Sequence, residues 1–218
     1  DVLGGSQMCL KKMQHLAEHD SVTGLYNRMH FFKETEQMLQ KHLKEPFVFI
    51  RMDIKRFRLI NSYWGEEGGN RILCFMADLL RNISSHYPYC TFGRIESDIF
   101  GICIPYEKRD CDSMLQFLIC QILSYSTSFA LEPSFGIYCI EDNSTPAENM
   151  FILATMASRK IKNRYQDYIG VYDEKLGQQI TQEQEVFNDM RPALENEEFV
   201  IYFQPKYNGY TQLPYGAA

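Results

Sequence analysis

The stretch GRIESDIFGIC, Gly93–Cys103, reads as a short β-hairpin in which apolar residues flank a polar tip of Glu96, Ser97 and Asp98. Tight turns between strands favour glycine, which reaches positive φ without steric cost. This tip has no glycine. Working outward, PFVFIRMDI (46–54), PSFGIYCI (133–140) and the brief YIGVY (168–172) also read as strands. Helical periodicity marks MHFFKETEQMLQKHL, with Phe32, Thr35 and Leu39 on one stripe, and RILCFMADLLRNI, with Ile72, Phe75, Met76, Leu79 and Ile83 in step. SMLQFLICQIL, MFILATMASRKIKNRY and EQEVFNDMRPAL, the last with Phe187, Met190 and Leu194, are read as helices too. The order helix, strand, helix, hairpin, helix, strand, helix, strand predicts an α+β domain with a central sheet covered by helices.

The totals agree with a folded domain. The chain has 218 residues, 45% hydrophobic and 14% aromatic, long enough for one domain with a full core and an extra piece. A net charge of -6 with no basic face argues against nucleic-acid binding, which depends on phosphate neutralisation. No apolar run is long enough to span a membrane and DVLGGSQMCL lacks the order of a signal peptide, so a cytoplasmic setting is expected. The seven cysteines show no CxxC pair and read as reduced thiols in or near the core. The expected organisation is a connector helix over 1–18, one domain over 19–172, and a helix and strand (EFVIYFQP) over 173–218 that belong to something further. In EDNSTPAEN, Ser144 or Thr145 is a candidate helix cap, with Pro146 in the first turn.

Four motifs in order carry a resemblance. HDSVTGLYNRMHFF is similar to the opening DxLTGLxNRxxF of GGDEF domains, the diguanylate cyclase family. FIRMDIKRFRLINSYWGEEGGNRIL aligns without a gap to DIDxFKxINDxxGHxxGDxxL, GRIESDIFGIC stands at RxGGDEF, and ILATMASRKIKNRYQD stands at ADxALYxAKxxGRN. NDMRPALENEEFVIYFQPKYN further resembles the first helix and strand of an EAL domain, the cyclic di-GMP phosphodiesterase family. The fold implied is the antiparallel-rich sheet of nucleotidyl cyclases and polymerase palms.

The resemblance implies chemistry in which two GTP molecules, one on each half of a homodimer, are joined by 3'-hydroxyl attack on an α-phosphate with magnesium. It places Asp53 and Asp98 as the catalytic carboxylates and Asp53, Ile54 and Asp98 at the metal. Taken alone, each aspartate reads equally as a surface or capping carboxylate. The family's other signature acid is Ile99 here, and Lys55 replaces the third residue of DID. On a continuing strand Lys55 shares a face with Asp53, where its ammonium either takes a metal's place or is simply solvated.

Glu96 and Ser97 stand at the two signature glycines, where bare backbone approaches ribose and phosphate. A glutamate about 5 Å from a polyphosphate repels it by roughly 3 kcal/mol at an effective dielectric near 20, a loss of about a hundredfold in affinity. Of the pair implied to read the base, Asn61 is kept and Asn70 replaces an aspartate, which loosens guanine selectivity because an amide offers one acceptor against two donors. Both also read as helix-surface amides. Arg58 and Lys162 stand at phosphate-contacting lysines, and equally read as exposed charges; Gln166 replaces an arginine, and Arg94 reads as structural. At the RxxD of the family's inhibitory product site the chain has Tyr87, Pro88, Tyr89 and Cys90. HLAEH (15–19) fits a zinc-peptidase pattern without a third ligand and is read as chance, and GEEGGN is read as the loop into the helix at Arg71.

Three functions follow as expectations. The first is a degenerate GGDEF domain, inactive or nearly so, that senses GTP or another purine nucleotide and regulates the following EAL-like domain. The second is a working cyclase that uses Asp53, Asp98 and magnesium. The third is a structural module that binds protein partners.

Overall fold

Strand β2 (Phe47–Ile54) is the centre of the molecule because its near-continuous apolar run, FVFIRMDI, has both faces covered: all eight residues are buried. The computed structural model describes residues 13, 15–125, 130–161, 167–200, 202 and 204–217. Around β2 lie β1 (Tyr26–Asn27), β3 (Thr91–Glu96), β4 (Ile99–Pro105), β5 (Pro133–Ile140) and β6 (Ile169–Val171), in the sheet order β1-β3-β4-β2-β5-β6. Neighbouring strands among the four inner ones are antiparallel, and β1 and β6 pair parallel at the edges. The α+β class and the antiparallel-rich sheet expected from the sequence are therefore what the chain adopts.

Helices α1 (Arg28–Lys41), α2 (Phe57–Ser84), α3 (Lys108–Leu123) and α4 (Ala147–Ile161) follow in chain order. Because strand side chains alternate, Val48, Ile50, Met52 and Ile54 enter one core with Ile72 and Met76 of α2 and Leu115 and Leu118 of α3. Phe47 and Phe49 enter the second, with Phe31 and Leu39 of α1 and Met150 and Ala154 of α4. The same period places Arg51, Asp53 and Lys55 on the α1/α4 side, and all three are buried.

Several expectations need correction. The buried stripe of α1 runs through Phe31, Thr35 and Leu39, with Phe32 only partly buried, because the helix turns its phase to lay Phe31 across the hairpin. GEEGGN is not a loop: α2 starts at Phe57 and passes through it with a single non-helical residue, Gly65, at φ 71. Helix α4 takes its cap from a neighbouring element, since Glu36 of α1 accepts the Ala147 amide at 2.9 Å while Ser144 turns back onto Asp142. Of the expected connector, residues 15–18 are helical and the remainder lies largely outside the described residues.

The chain forms two compact units, the first ending at Leu176 and the second over Gly177–Ala218. Helix α5 (Glu174–Glu195) starts with the Leu176 amide capped by Asp173 at 2.7 Å. Its Phe187, Met190 and Leu194 are exposed, so the stripe expected to be buried is not. EFVIYFQP does not form the expected strand among the described residues; β7 (Pro205–Tyr207) pairs instead with β8 (Pro214–Ala217) as an antiparallel ribbon. No helix among the described residues is long and apolar enough to cross a membrane.

Candidate functional site

The C-terminal end of β2 gathers the charged residues. Register ties Asp53 to Ser134 of β5, while the hairpin tip reaches across from the other side: the Ile54 amide donates to Asp98 Oδ2 at 3.0 Å. The two aspartates singled out by the sequence are thus brought to one place. Burial pushes the Asp98 carboxyl up, the Ile54 amide pulls it back, and the nearby Asp53 charge raises it again.

Asp53 has a partner that the sequence reading missed. Arg51 Nη1 lies 2.7 Å from Asp53 Oδ2 in an ion pair whose side chains are only 7% and 10% exposed. Two residues apart on a strand, the pair shares a face by construction. Lys55 is buried, which removes the solvated alternative, and its ammonium donates to the Asp167 carbonyl at 3.0 Å and the Ile161 carbonyl at 3.4 Å.

The turn itself closes in two residues, Ser97 and Asp98, with Glu96 paired to Ile99 and a bulge between Arg94 and Glu96. Ser97 sits at φ 48, the left-handed region that glycine occupies freely. Glu96 and Ser97 are exposed, whereas Ile99 packs against the apolar cluster of Phe31 and Ile95. Ser97→Gly is expected to stabilise the domain by about 1 kcal/mol, the cost of a side chain at positive φ, as read from a denaturant midpoint shifted upward at unchanged m value.

Arg94 is structural, as its position suggested. Its Nε donates to the Ser97 carbonyl at 2.7 Å and its Nη1 to Asp20 Oδ1 at 3.0 Å, which ties the tip to the segment before β1. Burial alone raises Asp20, but hydrogen bonds from Thr23 and the Arg94 guanidinium outweigh it and hold the carboxyl below 3.8. The lowered value means stability that is present above the unfolded value and lost as pH falls through the folded one. Asp20→Asn is therefore expected to cost about 1 kcal/mol at neutral pH, and the difference from wild type is expected to shrink in acid unfolding curves.

The base-reading candidates are positioned by the break in α2. Gly65 lets the second segment of the helix fold back along the first, and a Cβ on Gly69 would lie 1.9 Å from Asn61 Oδ1. Glycine at 69 is what admits the Asn61 side chain beside Asn70. Asn61 and Arg58 are exposed and Asn70 is half-buried, so all three are open to a ligand. Lys162, Arg164 and Gln166 lie outside the described residues.

A divalent ion prefers several oxygen ligands free of competing cations. Here Asp53 is engaged by Arg51, Asp98 Oδ2 accepts from the Ile54 amide, the Ile99 side chain offers no oxygen, and Lys55 adds an ammonium to the same strand face. That donor set does not fit magnesium as it stands. Among the described residues no three or more histidine, cysteine or acidic side chains stand together as a metal cluster; His15 and His19 of HLAEH simply stack at 4.1 Å. Where the inhibitory motif would lie, Tyr87 lines a cavity of about 470 Å³ with Ile83, Met114 and Phe117. Burial first, then nearby Cys111 and Asp110, push its phenol up to about 12.

The chain is similar to known proteins over most of its length. The chain is 24% identical over 208 residues to the biofilm architecture maintenance protein MbaA of Vibrio cholerae, covering 89% of this chain and 26% of that protein. It is 24% identical over 204 residues to the bifunctional diguanylate cyclase/cyclic di-GMP phosphodiesterase MucR of Pseudomonas aeruginosa, covering 90% of this chain and 29% of that protein. The chain thus spans less than a third of the length of either relative. Among solved structures, the coiled coil and GGDEF domain of DgcB from Caulobacter crescentus in complex with c-di-GMP superposes with a TM-score of 0.68 at 17% identity, over 78% of this chain and 93% of that one. The S helix-GGDEF-EAL portion of Vibrio cholerae LapD, bound to c-di-GMP, superposes with a TM-score of 0.67 at 16% identity, over 99% of this chain and 51% of that one. The family profile described as "Diguanylate cyclase, GGDEF domain" matches residues 17–167, well over half the chain, and the protein belongs to the GGDEF family.

Proposed function

We propose that this GGDEF domain has little or no cyclase activity and serves as a regulatory module in cyclic di-GMP signalling. It senses a purine nucleotide in the cytoplasm and passes its state through α5 to an EAL-like domain that begins in residues 173–218. The observation that carries this reading is the hairpin tip. Side chains occupy the two bare-backbone positions, one of them at positive φ, and the second acid is a half-buried isoleucine packed against the core. Asn61, Asn70 and Arg58, open at the break in α2, are what supports nucleotide contact. What supports the EAL-like assignment is the tail's sequence resemblance.

Thermal-shift titration of the purified protein with GTP, ATP and cyclic di-GMP tests the sensing role. A rise in melting temperature with GTP or ATP at millimolar concentration, lost in Asn61→Ala, is expected. Silence of all three ligands would leave a protein-binding module as the better account.

One observation favours a second reading: Asp53 and Asp98 both remain and meet at the end of β2. On that reading the chain is a slow cyclase with relaxed base choice, working as a homodimer with magnesium.

A further inference from the structure

We propose that Arg51 is an internal counter-cation that holds Asp53 where the family's chemistry calls for a divalent ion, so that the site keeps its shape with no resident metal. The pairing is local, since both residues point to one face of β2 and Nη1 stands 2.7 Å from Asp53 Oδ2. A guanidinium buried in place of the apolar residues that precede it on this face, Phe47 and Phe49, is tolerated only when paired.

Its surroundings leave it nowhere else to go. Nη1 also donates to Ser158 Oγ of α4 at 3.1 Å, and Ser158 in turn donates to the Thr155 carbonyl at 3.0 Å. Arg51 Nε is buried with no hydrogen-bond partner among the described residues, so the guanidinium is held through Nη1 by Asp53 and Ser158. Helix α4 presses close: Gly136, the β5 residue opposite Arg51, would carry a Cβ only 1.9 Å from the Ala154 carbonyl oxygen. Helix α4 thus leaves little room on this face for the guanidinium to swing aside from Asp53.

Charge balance leads to the same conclusion. Two carboxylates, Asp53 and Asp98, are matched by two cations, Arg51 and Lys55, on and beside one strand end. A divalent ion arriving there finds a carboxylate oxygen of Asp53 already taken and the two cations close at hand.

The test reads metal alone. Manganese binding to the full chain is followed by electron paramagnetic resonance and calorimetry, for wild type, Arg51→Met and Arg51→Met with Asp53→Asn. Wild type is expected to bind no manganese at submillimolar concentration, Arg51→Met to bind about tenfold or more tightly than wild type, and the double variant to lose that gain. Arg51→Gln, which keeps a donor for Ser158, replaces Arg51→Met if methionine prevents folding. Tight binding by wild type overturns the proposal, and so does a variant that binds no better than wild type. The idea rests on the reading of Asp53 given under the proposed function. Because no turnover is measured, an unmoved manganese affinity removes the counter-cation and leaves the sensing role standing, while nucleotide silence does the reverse.

Discussion

Arg51→Ala is expected to destabilise the domain by about 3–5 kcal/mol, because removing one partner of a buried ion pair strands the other charge without compensation. Both side chains lie in the interior, so neither water nor salt screens the loss. Against a total stability of about 5–15 kcal/mol, such a change brings the protein close to unfolding at body temperature. Urea unfolding followed by circular dichroism measures it. The double change Arg51→Ala with Asp53→Ala is expected to cost less than the sum of the two single changes, since residues in one ion pair are coupled. Additive costs would show that the pair contributes nothing specific.

Phe31→Ala is expected to cost about 3–5 kcal/mol. The ring is fully buried, lies edge-on to Phe49 with centroids 5.7 Å apart, and covers the cross-strand pair Gly93 and Gly101, where any added Cβ would come within 2.4 Å of it. No nearby backbone atom can collapse into the space of a phenyl ring. The same ring supports the hairpin that carries Asp98, so faster hydrogen exchange of the β3 and β4 amides is expected alongside the lower stability. Unchanged protection there would show that the tip does not depend on α1.

Much of the fold was legible because burial in this chain follows simple periods. The apolar run of β2 announced a strand, and the stripe from Ile72 to Ile83 announced a buried helix face. What stayed hidden depends on neighbours remote in sequence. The phase of α1 is set by where the ring of Phe31 meets the hairpin, and the cap of α4 comes from Glu36, more than a hundred positions away. The exposed stripe of α5 has helical spacing but no covering surface among the described residues of its own unit.

The site was legible to a similar depth. Asp53 and Asp98 do meet, and the absence of glycine at the tip does leave Ser97 in a left-handed conformation. Arg51 escaped notice because one arginine in an apolar strand carries no motif; its role appears only once α4 is seen to roof it through Ser158. Lys55 was placed on the correct face, but its contacts are the carbonyls at 161 and 167, which sequence spacing does not reveal.

On the proposed reading, crowding at the tip and a carboxylate already taken keep this site from joining nucleotides. The direct measurement is chromatographic detection of cyclic dinucleotide after incubating the purified protein with magnesium and GTP or ATP. No product above the protein-free control is the predicted result. Sustained turnover that disappears in Asp98→Ala would contradict it and make the protein a cyclase.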